Sequence, residues 1–222
     1  MEYELPLFPL NTVLFPGMPL TLHVFEERYK TMVNQCLGEG MPFGVVLIKE
    51  GVEADGPLAE PHPIGCTAEI AQVQPLLGER MNILVLGGER FRIVSLEPQQ
   101  NAGFLKGQVQ NYPLEWLPMD DTAQASRQLR PWVREYLALL SDAGDVEFDF
   151  ESLPDDAESL AFLAATVLQV PNSQKQELLA VPGIARLLSD IHTLYRRELP
   201  VLRQLLQRDD LVPAGPGPFS LS

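Results

Sequence analysis

The hydrophobic pattern changes character once along the chain. Over residues 1–116 apolar and polar residues alternate in short runs broken by Gly and Pro, whereas over residues 117–210 the apolar positions recur with a period near 3.6. Leu20-Thr21-Leu22-His23-Val24-Phe25 predicts a strand with Leu20, Leu22 and Val24 on one face. Phe43 to Lys49 is an apolar run bounded by Gly and Pro, the pattern of a strand covered on both sides. Thr67 to Val73 and Met81 to Leu86 predict two more strands. Gly87-Gly88 predicts a hairpin turn into an alternating Arg90 to Val94, and Phe104 to Tyr112 closes the set. Phe25, Tyr29, Met32, Val33, Cys36 and Leu37 fall on one helical face that Gly38 ends. Glu50 to Pro63, rich in acids and punctuated by Gly and Pro, predicts an exposed loop. Many short strands and one helix suggest a small, partly closed barrel.

The second half predicts a helical bundle. Leu129, Trp132, Val133, Tyr136, Leu137 and Leu140 form one stripe, with Asp120, Asp121 or Thr122 as N-cap and Pro131 implying a kink or a late start. Leu160, Leu163, Ala164, Val167 and Leu168 form the next, ended before Pro171. Ser173 and Gln176 fit a capping box for a short helix. Ile184, Leu187, Leu188, Ile191, Leu194 and Tyr195 open a long last helix that runs past Pro200 to Leu206 with a bend. Residues 211–222, with three prolines and two glycines, read as a tail. The expected organisation is residues 1–116 as a β lobe, 117–210 as a helical lobe and 211–222 as a Pro/Gly-rich tail.

Composition narrows the function classes. The 222 residues are 45% hydrophobic and 21% charged, which is a globular composition. The charge is one-sided, with 16 Lys and Arg against 30 Asp and Glu and a net charge of −14. Nucleic-acid binders usually carry the opposite sign, and an acidic surface is repelled by anionic membranes. No apolar run approaches the ~20 residues of a spanning helix, and the Met-Glu-Tyr-Glu start has no signal-peptide pattern. Two cysteines, Cys36 and Cys66, make no disulfide framework. The expectation is a reduced, cytoplasmic, soluble protein.

Catalytic signatures are missing from this sequence: no phosphate-binding G-x-x-x-x-G-K-[ST], no G-x-S-x-G, no H-E-x-x-H and no G-x-G-x-x-G. His62 and Cys66 supply half a zinc site at most. His23 and His192 read as strand and helix-border residues, and Cys36 as a small hydrophobe. The acidic stretch from Asp142 to Asp156 matches no calcium loop. The expectations are therefore no enzyme activity, no catalytic residue, no metal and no cofactor.

Five segments carry a resemblance. Glu4-Leu5-Pro6-Leu7-Phe8-Pro9-Leu10-Asn11-Thr12-Val13-Leu14-Phe15-Pro16-Gly17-Met18-Pro19-Leu20 comes first, followed by Phe25-Glu26-Glu27-Arg28-Tyr29. Ile64-Gly65-Cys66-Thr67-Ala68-Glu69-Ile70, then Val85 to Ile93 with its G-x-x-R-F spacing, and Lys175-Gln176-Glu177-Leu178-Leu179 complete the set. In this order they resemble the N-terminal, substrate-binding domain of the ATP-dependent Lon proteases. The resemblance implies an α+β fold: a PUA-like pseudo β-barrel with one inserted helix, followed by an α-helical bundle. Pro6, Pro9, Pro16 and Pro19 would suit an edge strand wrapping that barrel, with Phe8, Leu10 and Leu14 as core plugs.

The resemblance covers a recognition lobe, and the sequence shows neither ATPase nor peptidase motifs. It implies a stand-alone, non-catalytic polypeptide-recognition module whose partners are unfolded or exposed polypeptide segments and a protease whose work it modulates. Candidate contacts are Phe15 and Met18 in the Phe15-Pro16-Gly17-Met18 loop, and Leu76 and Leu77 in a turn; Phe15 and Leu77 are equally readable as core plugs. A second reading, RNA binding by a PUA-like barrel, rests on Arg80, Arg90 and Arg92 as a local patch. Against it, residues 1–112 hold 13 acids and seven Lys and Arg. The sequence sets no oligomeric state.

Overall fold

Strand β1 (Glu2–Leu10) is where the β lobe closes on itself. Its first half, Glu2 to Leu7, pairs antiparallel with β7 (Leu105–Asn111), and its second half, Leu7 to Leu10, pairs parallel with β3 (Phe43–Glu50). The strand is thus internal, not the edge its prolines suggest. Pro6 stands opposite Lys106 before the β3 pairing begins, and Pro9 opposite Val46 after the β7 pairing has ended. Each missing N–H falls where the strand has one neighbour, so at most one ladder is affected. The computed structural model describes residues 1–51, 59–97, 103–117, 121–143 and 153–209, with backbone alone at 142–143 and 207–209.

The ring runs β1-β7-β6-β5-β3 and back to β1, with β5 spanning Ile64–Pro75 and β6 Met81–Leu96. β2 (Pro19–Val24) adds to β6, and β4 (Glu60–Pro61) adds to β3, so part of the expected Glu50 to Pro63 loop is strand. Helix α1 (Glu27–Glu39) packs Tyr29, Met32, Val33 and Cys36 against the sheet. It ends at Gly40, left-handed at φ 64°, rather than at Gly38, and Phe25 lies outside it, half exposed. Leu5, Leu7, Val46, Phe91, Leu105 and Val109 form a separate small core within the ring. Gly65 makes room for it: a Cβ there would stand 2.7 Å from the Phe91 ring and 2.5 Å from the Val45 carbonyl.

Gly87-Gly88 is not a turn. β6 runs unbroken through it, and the hairpin turn falls at residues 76–80, closed by Leu76 N–H donating to the Arg80 carbonyl (2.8 Å). The register explains the pair of glycines. Cys66 faces Arg90 and Ala68 faces Gly87, so Thr67 alone opposes Gly88 and Glu89, a β-bulge. The Thr67 hydroxyl accepts from the Glu89 N–H at 2.8 Å, satisfying the donor that the bulge takes off the ladder. Gly87 also receives the loop between β1 and β2. Gly17 N–H donates to its carbonyl (2.8 Å), its own N–H donates to the Met18 carbonyl (2.9 Å), and a Cβ on it would lie 2.0 Å from the Phe15 carbonyl oxygen.

Four helices follow: α2 (Thr122–Ala143), α3 (Ala157–Val167), α4 (Asn172–Ala180) and α5 (Ile184–Asp209). Asp121 caps α2 through the Gln124 N–H (2.9 Å), which places the start nine residues ahead of Pro131 and rules out a late one. α5 continues through Pro200 as the stripe predicts. The third core unites the lobes: Val13, Phe15, Leu47, Ile64 and Leu114 of the β half pack with Leu129, Phe162, Leu178, Leu187 and Tyr195 of the helices. The expected tail, 211–222, lies outside the described residues, as does most of the acidic stretch before α3.

Gly87→Ala is expected to cost at least about 3 kcal/mol, the upper range for inserting a methyl into packed structure, because the obstacle is backbone. Gly38→Ala, in open space within α1, is expected to gain about 0.5–1 kcal/mol. Urea denaturation of the two variants checks both signs.

Candidate functional site

The loop of residues 11–18 leaves β1, turns inward at Phe15 and is held to β6 at Gly87. The Phe15 side chain is completely buried, with its ring 6.4 Å from that of Phe162 on α3. Met18 N–H closes a tight turn onto the Phe15 carbonyl (3.0 Å), which lifts Pro16, Gly17 and Met18 to the surface. Across from them α3 starts at Asp156, whose carboxylate accepts the Ser159 N–H at 2.8 Å. Between loop and helix lies a cleft of about 460 Å³, lined by Pro16, Met18, Pro19, Phe162, Leu163, Asp156 and Glu158 among others. A smaller cavity of about 220 Å³ adjoins it, sharing Pro16, Glu158 and Phe162 and adding Glu89, Arg90, Asn111 and Tyr112.

Beside the cleft, one side chain ties the β ring to the helices. Arg90 is 4% exposed, and its Nη1 donates to the carbonyls of Leu179 and Val181, both at 2.7 Å. Its guanidinium lies over Tyr112 (4.9 Å) and near Phe162 (5.7 Å), while the Tyr112 hydroxyl donates to the Ala180 carbonyl (3.1 Å). The last carbonyls of α4, which a helix cannot satisfy internally, are thus met from the β ring. Burial pushes the guanidinium below its ordinary value, with Tyr112 and Glu158 opposing the shift. Two residues of the K-Q-x-L-L segment tie α4 down at its other side. Lys175 Nζ donates to the Thr166 carbonyl (3.1 Å) at the end of α3, and Gln176 Nε2 donates to the Ile64 carbonyl of β5 (3.0 Å). Gln176 therefore braces the lobes rather than closing the expected capping box, and α4 shows no side-chain cap.

The structure distributes the predicted residues unevenly. Phe15 and Met18 meet at the cleft, Phe15 as its buried support and Met18 half-buried on its wall. Leu76 and Leu77 stand apart on the β5–β6 hairpin, with Leu77 at the tip and 90% exposed. The arginine patch does not assemble: Arg90 is committed inside, Arg80 is at the hairpin tip bonded to the Leu77 carbonyl (3.2 Å), and Arg92 lies over Tyr112 (4.6 Å). Sequence reading missed Phe162 and Pro19 as cleft residues. Phe162 sits one step off the α3 stripe, and the clue was the one aromatic of the helix lying on the flank of that stripe.

A groove of about 630 Å³ between α4 and α5 mixes apolar residues with polar ones, among which Arg186 pairs with Asp190 (3.5 Å) and Arg197 donates to the Gln174 side-chain carbonyl (2.6 Å). Burial pushes the Cys66 thiol up to about 12 and that of Cys36 to about 11, so neither is a thiolate nucleophile near neutral pH. His23 bonds Asn82 (2.8 Å), and His192 meets Trp132 edge-on. Among the described residues no three His, Cys, Asp or Glu stand together as metal ligands, and no helix is long and apolar enough to cross a membrane.

Comparison with known proteins gives this geometry a family. A family model described as the ATP-dependent protease La (LON) substrate-binding domain matches residues 4–197. The Lon protease of Syntrophus aciditrophicus is 24% identical over 204 residues, which is 89% of this chain and 25% of that protein. The chain spans about a quarter of the length of such curated relatives. The crystal structure of a Lon N-terminal domain protein from Xanthomonas campestris superimposes with a TM-score of 0.63 at 24% identity, covering 85% of this chain and 96% of that one. The N-terminal domain of Mycobacterium avium complex Lon protease gives 0.66 at 17% identity, covering 87% and 98%.

Phe15→Ala is expected to cost about 3–5 kcal/mol of stability, since it empties a core site, whereas Leu77→Ser is expected to change stability by less than about 0.5 kcal/mol. Thermal denaturation separates the two. Both thiols are expected to resist a thiol-specific chromogenic disulfide at pH 8 in the native state and to react completely once the chain is unfolded in denaturant, followed by absorbance.

Proposed function

The chain belongs to the family of the ATP-dependent protease La (LON) substrate-binding domain, and on that premise we propose that it is a non-catalytic polypeptide-recognition module. Its ring is read as a PUA-like pseudobarrel, and its site as the cleft between the 15–19 loop and α3. The supporting observation is the construction of that cleft: a half-buried Met18 and two prolines line it together with Phe162 and Leu163, and the Arg90 guanidinium, bonded to the end of α4, lies near the Phe162 ring. A rigid apolar groove of this kind takes an extended side-chain-bearing segment with little reorganisation. Such a module serves ATP-dependent proteolysis by holding unfolded segments, either delivering them to a Lon-type protease or competing with it for them.

Isothermal titration with a reduced, permanently unfolded model polypeptide is expected to give micromolar binding, equivalent to about −8 kcal/mol. Met18→Ala is expected to weaken it about fivefold, a loss of about 1 kcal/mol, and Leu77→Ser to leave it within about twofold. Absence of binding to several unfolded chains overturns the proposal.

A further inference from the structure

The lining of the cleft carries more than apolar surface. Its charged residues are Asp156 and Glu158, and no Lys or Arg lies along it. The backbone N–H of Ser159 holds the Asp156 carboxyl below the usual carboxylate range, so it is an anion at neutral pH. In the adjoining cavity Glu89 is engaged by the Asn111 amide (2.7 Å), and Arg90 has committed Nη1 to two carbonyls. Arg90 Nη2 is buried and has no hydrogen-bond partner. A buried N–H without an acceptor is costly, and Arg90 itself lines the cavity that opens beside the cleft. The two spaces therefore bring together carboxylates along the groove and a buried, unmatched donor on a residue that lines the adjoining cavity.

We propose that the polypeptide this cleft takes is an extended apolar stretch bearing a Lys or Arg side chain, the cation lying against Asp156 and Glu158 while a backbone carbonyl of the same stretch accepts from Arg90 Nη2. This rests on the cleft being the polypeptide site. The carbonyl is the matching acceptor because it adds no charge. Cleft and cavity together hold three carboxylates against one guanidinium, so an anionic ligand would be repelled where a neutral acceptor is not. The net charge of −14 steers cationic segments toward the molecule in the same sense.

The experiment is fluorescence anisotropy of labelled apolar peptides that differ at one central position, Lys, Gln or Glu, titrated with the full chain at low ionic strength. The Lys peptide is expected to bind about fivefold tighter than the Gln peptide, and Gln tighter than Glu, with the spread narrowing at about 0.5 M salt. Glu158→Gln is expected to bring the Lys-to-Gln ratio below about twofold, and Glu158→Lys to invert the Lys–Glu order. A thioamide moved along the Lys peptide weakens one carbonyl acceptor at a time while keeping its N–H. It is expected to cost about threefold at one position and little elsewhere. Equal binding of the three peptides, a Lys preference unchanged in both Glu158 variants, or a thioamide scan with no sensitive position overturns this inference and leaves polypeptide binding standing. If none of the peptides binds, the polypeptide reading falls with it.

Discussion

The Arg90 guanidinium, buried between a β ring and a short helix, is the interaction on which the arrangement of the molecule depends. Removing a cation from water is tolerable only where hydrogen bonds replace hydration. Here the replacements are the Leu179 and Val181 carbonyls at the end of α4, a place where a helix has unpaired acceptors and a negative dipole end. The exchange serves both parties. A nine-residue helix is too short to persist by itself, and α4 is held by Arg90 and Tyr112 at its C-terminal end and by Gln176 and Lys175 along its length. The Glu115 main chain adds a further clasp, donating to the Pro182 carbonyl (2.8 Å) and accepting from the Ile184 N–H (3.1 Å).

The cleft lies next to that bolt, where the guanidinium comes near the Phe162 ring. Its walls come from parts of the chain about 140 residues apart, a loop after β1 and the first turns of α3. With Phe15 buried beneath the loop and Phe162 forming part of the facing wall, the gap is a packed feature rather than a space between independent lobes. On the proposed reading the site is a preformed groove rather than a clamp, and the residues at its rim that would select side chains are Met18 among the apolar ones and Asp156 and Glu158 among the charged.

Much of the fold is legible from the residues alone, because helices and half-buried strands write their period into the chain. The stripes through Tyr136, through Leu160, Ala164 and Leu168, and through Tyr195 all face the shared core, and the Phe43 to Lys49 run is a strand buried over most of its length. Misreadings cluster where a residue serves a distant neighbour. Gly87-Gly88 looks like a turn because positive-φ tolerance and room for a close approach both select glycine, and only the position of the Phe15 carbonyl shows which is at work. Gln176 looks like a cap because its spacing from Ser173 is right, yet its partner is a carbonyl of β5, 112 positions away. Pro6 and Pro9 look like edge residues because a missing donor usually marks an edge, and a strand that changes neighbours midway offers a second solution.

Periodicity, composition and local runs of residues were enough to establish most of the strands and helices in order, the buried faces, the family motifs and the acidic balance. Three-dimensional packing was needed to show that Phe15 is a support and Met18 a wall, that Arg90 is a bolt and not part of a basic patch, and that Leu77 projects on a hairpin away from the cleft. The physical reason is range. A local pattern records which way a side chain points relative to its own element, whereas burial, hydrogen-bond partner and cleft membership depend on which distant element arrives opposite it.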